Sequence, residues 1–283
     1  MPHSPITVPV VVIVVGAGAL HATWNAIAKH LDDRLIAFAL IGIASTLGGG
    51  AVLALTGLPY RASIGFAAAS AAIHVGYELA LMNSFRLGAF NQVYPIARGT
   101  SPLVVAIGAY VLAGERLAAV PLAGVAILAA GLVSLALSSG RLTGSELPAA
   151  AAAALTGLAI AGYTIVDGLG VHRSHDPYAY AGLLFVLMGP VLPAVAAFRR
   201  PAISWLTGRR AARGLLAGLL SLVAYGIVLW AQTRAPLAEV AAIRETSVVF
   251  AALLGWRLFA ESFGIRRVAA ASLVAAGIVL ISA

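Results

Sequence analysis

Residues 93–102 read Val93-Tyr94-Pro95-Ile96-Ala97-Arg98-Gly99-Thr100-Ser101-Pro102, an arginine set in an apolar run that meets no acid before Glu115. A second stretch, "AAIRETSV" (Ala241–Val248), repeats it in a gapless register offset by 146, from 98 to 244. In that register Thr100 meets Thr246, Ser101 meets Ser247, Glu115 meets Glu261 and Gly131 meets Gly277. Alanine matches carry little weight in so Ala-rich a chain, whereas coinciding charges in apolar runs carry much more. Offset by 148, Tyr77 meets Tyr225 and Arg86 meets Arg234; offset by 139, Trp24 falls on Tyr163, a weaker match. The chain reads as a duplicated unit.

Composition sets the class. Hydrophobic residues make up 61% of the chain and charged residues 10%, with a mean hydropathy of +0.99, against roughly 25% charged in a soluble domain. Apolar runs of about 20 residues recur, each long enough to cross a bilayer. Breaks at charged, Gly and Pro clusters give ten spans, at approximately 8–29, 35–57, 62–85, 90–113, 117–138, 148–169, 177–198, 212–233, 236–258 and 265–283. The expected fold class is an all-α polytopic membrane protein, with ten transmembrane helices in two five-helix repeats, residues 1–140 and 147–283. Five is odd, so the second repeat enters from the opposite face, giving inverted topology.

The first run, Val8–Ala28, has no basic flank or small-residue cleavage site before it and reads as a retained span. The net charge of +8 sits mostly between spans, where it marks topology and anionic headgroups, not nucleic acid. With no cysteine, disulfides and thiolate metal sites are excluded; neither a metal nor a cofactor is expected. Arginine supplies 17 of the 18 Lys and Arg residues, which suggests a GC-rich bacterial source and hence the cytoplasmic membrane.

The stretches "ALHATWNAIAK", "YPIARGTSPLVVAIGAYVLAGERL", "AGYTIVDGLGV" and "AAIRETSVVFAALLGWRLFAES" resemble the drug/metabolite transporter superfamily, EamA-domain type. The resemblance covers nearly the whole chain as two tandem domains. It implies a basket of ten helices, with a central cavity lined by spans 1, 3, 4, 6, 8 and 9 and with spans 5 and 10 peripheral. It is poor for the substrate, because the family moves many small solutes. The loops after odd-numbered spans are the more basic, which by the positive-inside rule puts both termini outside; the family pattern implies termini inside.

A charge at mid-membrane is costly and normally faces a cavity or a partner. Arg98 and Arg244 each lie eight residues into a span, about 12 Å from its start. Because the repeats are inverted, the two flank the midplane from opposite faces and suit an anionic substrate group; a structural pair of ion bridges is the competing reading. Trp24, Asn25, Tyr77, Tyr94, Tyr163, Tyr225 and Trp230 are the other expected substrate contacts, all on cavity helices. Glu78, with His74 one turn away, and Glu245 are the candidate proton-coupling groups. Depth matching predicts a Glu78–Arg98 contact, and the roughly 100° step between helical neighbours turns Glu245 away from Arg244.

Asp167 and Lys29 fall near span ends and read as gate or interface residues. Glu115 and Glu261 read as structural, capping the helix that follows each. Pro102 removes the helical donor to the carbonyl of residue 98 and predicts a kink in span four.

The function this implies is secondary active transport, by alternating access, of a small polar metabolite, anionic or zwitterionic, such as an amino or organic acid, with export one direction. Partners are the substrate and the bilayer, with protons the candidate coupling ion and proton-free facilitated exchange the alternative; the paired halves allow a monomer or a dimer. A channel or scaffold is the alternative. An integral membrane enzyme is disfavoured, because the sequence holds no H-E-x-x-H, G-x-S-x-G or phosphate-binding loop.

Overall fold

The structure is a computed structural model that describes residues 6–88, 90–136, 144–200, 206–259 and 265–282. These residues form helices and turns without a strand. In order they are α1 (Val8–His30), α2 (Arg34–Thr56), α3 (Ile64–Leu87), α4 (Phe90–Gly108), α5 (Ala119–Ala136), α6 (Leu147–Ser174), α7 (Pro177–Met188), α8 (Val191–Arg199), α9 (Gly208–Gln232), α10 (Leu237–Arg244), α11 (Ser247–Phe259) and α12 (Ile265–Ile281). Glu261 and Arg141 lie outside the described residues.

Local chemistry sets the helix ends. The Asp33 carboxylate accepts from the Leu35 and Ile36 amides at 3.0 and 3.3 Å and so starts α2. Asp176 does the same for α7 through Tyr178 and Ala179, at 2.7 and 3.2 Å; each cap satisfies amides that would otherwise lack partners. Gly57 ends α2 with φ of 79°, a conformation that costs glycine nothing.

Among the described residues, seven helical segments are long and apolar enough to cross a membrane. Spans one to four and six to eight correspond to them, with α7 and α8 counted together across the Gly189–Pro190 step. Spans five and ten are the shorter apolar helices α5 and α12. Span nine is divided into α10 and α11.

Span four, by contrast, is not divided at its proline. α4 runs on through Pro95 and Pro102, and the Ser101 hydroxyl lies 3.3 Å from the Arg98 carbonyl that Pro102 leaves without an amide donor. The interruption falls in the other half, at Glu245–Thr246. There the amides of Glu245, Thr246, Val248 and Val249 bond three residues back, at 2.9–3.0 Å, tightening the chain between two half-length helices.

Packing follows a consistent exchange between the halves. α1 lies against α9 and α11, and α6 against α3 and α4. α2 meets α9 while α7 meets α3, and α5 pairs extensively with α12. Small residues make these approaches possible. A Cβ on Gly18 of α1 would meet Thr246 Oγ1 at 2.5 Å and the Ser247 amide at 3.1 Å. A Cβ on Gly157 of α6 would meet the Ala97 carbonyl at 2.5 Å and Thr100 Cβ at 2.6 Å. The two glycines are 139 positions apart, the offset that relates Trp24 to Tyr163. Between α5 and α12, Gly124 and Gly277 lie back to back, each close to the other's carbonyl.

Candidate functional site

The packing of α1, α3, α4, α6, α9 and α10 encloses a polar cluster. Arg98 retains 1% of its exposure, and Arg244 and Glu245 none. Arg98 is carried by α4, while Arg244 closes α10 and Glu245 begins the interruption. Arg98 Nη1 donates to Glu245 Oε1 at 3.3 Å, and Arg244 Nη2 reaches the same oxygen at 3.5 Å. Ser101 Oγ is 3.4 Å from it. Arg244 Nη2 also donates to Thr164 Oγ1 of α6, at 3.3 Å.

Two expectations are thereby corrected. Arg98 pairs with Glu245, not with Glu78, which is buried one turn from His74 on α3. Glu245 does reach Arg244, because the chain is no longer helical beyond residue 244, so the roughly 100° step between helical neighbours does not apply.

One carboxylate oxygen thus faces two guanidiniums. Among the described residues Arg98 Nη2, Arg244 Nε, Arg244 Nη1 and Glu245 Oε2 have no hydrogen-bond partner, so the trio of two cations and one anion leaves donors and one acceptor unspent. Buried polar groups in that condition are rare.

Aromatic rings wall this cluster. The Arg98 guanidinium lies over the Tyr94 ring at 5.4 Å, and that of Arg244 over Tyr163 at 5.9 Å, within cation–π range. His74 stacks on Tyr163 at 3.8 Å and meets Tyr225 edge-on at 5.2 Å. Tyr77 closes on Tyr163 at 5.4 Å. His74 Nδ1 is held near the Ser70 carbonyl and hydroxyl, at 3.0 and 3.1 Å. On α1, Trp24 and Asn25 are buried, the Asn25 amide donating to the His21 carbonyl at 2.8 Å. The Trp24 Nε1 and Asn25 Oδ1 atoms have no partner among the described residues.

Other expected residues stand elsewhere. Asp167 stands at an interface: it is fully buried and accepts from Tyr180 at 2.8 Å and Tyr225 at 2.5 Å, tying α6 to α7 and α9. Tyr180 was not singled out from the sequence; the signal was that a buried acid needs donors, and α7 is otherwise apolar. Trp230 faces a lateral apolar groove of about 460 Å³ with Tyr178 and Phe185, under the Arg234 guanidinium, and not the arginine cluster. Lys29 Nζ donates to the Phe85 and Gly88 carbonyls at 2.6 and 2.9 Å, locking α1 to the end of α3. Glu115 has a structural role, as expected, but across the two halves. Its carboxylate accepts from the Leu237 and Ala238 amides at 2.9 and 3.4 Å and caps α10 in the other half.

Where α1 and α3 end, a cavity of about 940 Å³ opens, lined by Lys29, Arg34, Arg86, Arg199 and Arg200 with Asp32 and Asp33. It is a basic mouth on one face of the bundle.

Residues 147–283 match the model of the EamA-like transporter family. That stretch of the chain is similar to members of this family. The family is part of the drug/metabolite transporter superfamily, whose members are membrane transporters and not enzymes. No curated protein matches the chain in sequence. Among solved structures 28 chains match. One crystal structure superposes on 97% of this chain and 98% of its own, with a TM-score of 0.76 at 18% identity, a likeness of fold.

Proposed function

We propose that this protein is a secondary carrier that works by alternating access on a small polar metabolite bearing a negative group, anionic or zwitterionic. The observation that carries this is the meeting of Arg98 and Arg244, from the two repeated stretches, at one buried carboxylate oxygen with three of their nitrogens unpartnered. Held in low dielectric, such donors bind an anion far more strongly than they would in water. The complete burial of the pair suits a carrier in which the site faces neither side at one stage of its cycle.

The reading takes the ten expected spans as two inverted five-helix repeats, with α5, α12 and the divided α10–α11 completing the count. Its support is the reciprocal packing: exchange of the halves turns the α1–α9 and α1–α11 contacts into α6–α3 and α6–α4. A broken helix at the substrate site is a recurrent device of inverted-repeat carriers. The basic mouth would draw anions toward the site, and the protein would act in the cytoplasmic membrane.

Counterflow in proteoliposomes tests the proposal: saturable exchange of a labelled solute, lost in Arg98→Ala and Arg244→Ala variants that purify as monodisperse species, is the expected result. Ion currents far above carrier turnover would instead establish a channel. Exchange unchanged in both variants would remove the arginines from the substrate site.

A further inference from the structure

The cavity where α1 and α3 end gathers cations from four helices. Its volume is about 940 Å³, and Lys29 comes to it from α1, Arg34 from α2, Arg86 from α3, and Arg199 and Arg200 from the end of α8. Two carboxylates face these five cations, and both are already engaged. Asp33 accepts the α2 amides on Oδ1 and Arg200 Nε on Oδ2, the latter at 3.3 Å. Asp32 Oδ2 lies 3.5 Å from Arg210, which stands outside the lining. Arg34 and Arg86 donate instead to neutral oxygens, the Leu31 carbonyl and, at 3.0 Å, the Asn83 amide oxygen. Neither they nor Arg199 enter an ion pair among the described residues. Membrane topology asks for basic residues on one face, but it does not ask them to converge on one concavity.

We infer that this cavity binds a phosphate group, at a site separate from the Arg98–Arg244 cluster and independent of the carrier reading. A carboxylate offers two oxygens in one plane. A phosphate offers oxygens about a tetrahedral centre, so several helices can meet it at once, and guanidinium forks match its edges two bonds at a time. Lys29 is held on the Phe85 and Gly88 carbonyls at 2.6 and 2.9 Å, so its charge is in position before a ligand arrives. Met82, Phe85 and Leu87 line the same cavity and give it an apolar side. That mixture fits a headgroup phosphate together with the start of its acyl chains, and basic pockets between membrane helices take anionic headgroups. A soluble phosphate ester presents the same group to the same cations.

The experiment is thermal shift of the purified full chain in zwitterionic detergent at low ionic strength, in two arms. The first titrates phosphatidylglycerol as mixed micelles against phosphatidylcholine, whose choline offsets the phosphate charge. The second titrates inorganic phosphate and glycerol 3-phosphate against succinate, a dianion without phosphorus. Saturable stabilisation in either arm is the expected result, the first identifying a lipid source and the second a soluble one. Half-saturation should rise at least about tenfold in Arg86→Gln and in Arg199→Gln, the worth of one charge-assisted contact. Both arginines are exposed, so neither change disturbs the core. Arg209→Gln removes the same charge beside Arg210 but outside the cavity, and should shift half-saturation by less than about twofold. The assignment is overturned if neither arm saturates, or if the controls phosphatidylcholine and succinate match the phosphate probes. It is equally overturned if Arg209→Gln weakens binding as much as Arg86→Gln; the cavity is then a general funnel for anions and not a phosphate site.

Discussion

Replacing Glu245 with Ala should destabilise the protein more than replacing Arg98 with Ala, although each change breaks the same 3.3 Å ion pair. The reason lies in the sharing of Oε1. Without Glu245, both guanidiniums remain in a core where they retain at most 1% of their exposure, with no carboxylate between them. Removing one member of a buried pair costs about 3–5 kcal/mol because it strands a charge, and here two like charges are stranded. Without Arg98, Glu245 keeps Arg244 at 3.5 Å and the remaining pair is neutral. The loss is then about one hydrogen bond to a charged group, roughly 1.5–3 kcal/mol, plus a cavity. Unfolding of the purified variants in matched detergent, followed by intrinsic fluorescence and referred to wild type, measures both. Arg98→Ala as costly as Glu245→Ala, or more so, would refute the shared-carboxylate geometry.

Other substitutions probe the frame around the site. Gly157→Ala should cost about 1–3 kcal/mol by overpacking, because the new methyl group meets the Ala97 carbonyl at 2.5 Å, whereas Gly16→Ala on α1, with nothing within 4 Å, should be neutral or stabilising in the same unfolding assay. Glu115→Ala should lower stability by about 1 kcal/mol, the usual value of a lost N-cap, and leave ligand discrimination unchanged in a binding panel. Tyr225→Phe leaves Asp167 with one tyrosine donor in place of two and should cost about 1–3 kcal/mol, with a smaller effect once Asp167→Asn removes the charge. Trp230→Ala should leave transport at the wild-type rate, because its ring lines the lateral groove.

The sequence paired the right arginines for a physical reason: a charge in an apolar run is rare, so its recurrence at a fixed offset is informative. The same register did not reveal their partner. Depth along continuous helices pointed to Glu78, and that estimate fails where the helix stops being a helix, at Glu245. No proline or glycine marks the interruption; "RETS" sits there, its tightened turn lying against α1 at Gly18. Gly18 and Gly157 were in principle legible, since they share the 139 offset noted for Trp24 and Tyr163, but small residues are too common in this chain to be noticed before their neighbours are known.

Asp167 looked terminal because α6 was expected to stop at residue 169, and the helix continues to Ser174. The cap that Glu115 provides crosses to another half of the chain, and no local pattern encodes that. Trp230 shares α9 with Tyr225 but is five residues on, far enough around the helix to face outward.

The most direct test of the central claim is calorimetric titration of the wild-type chain and of Arg244→Ala with the tightest-binding hit of a thermal-shift screen of small anionic and zwitterionic metabolites. The account predicts saturable one-site binding to wild type and a loss of at least about tenfold in affinity in the variant, the value of one charge-assisted contact. Equal affinity in the two proteins would contradict it.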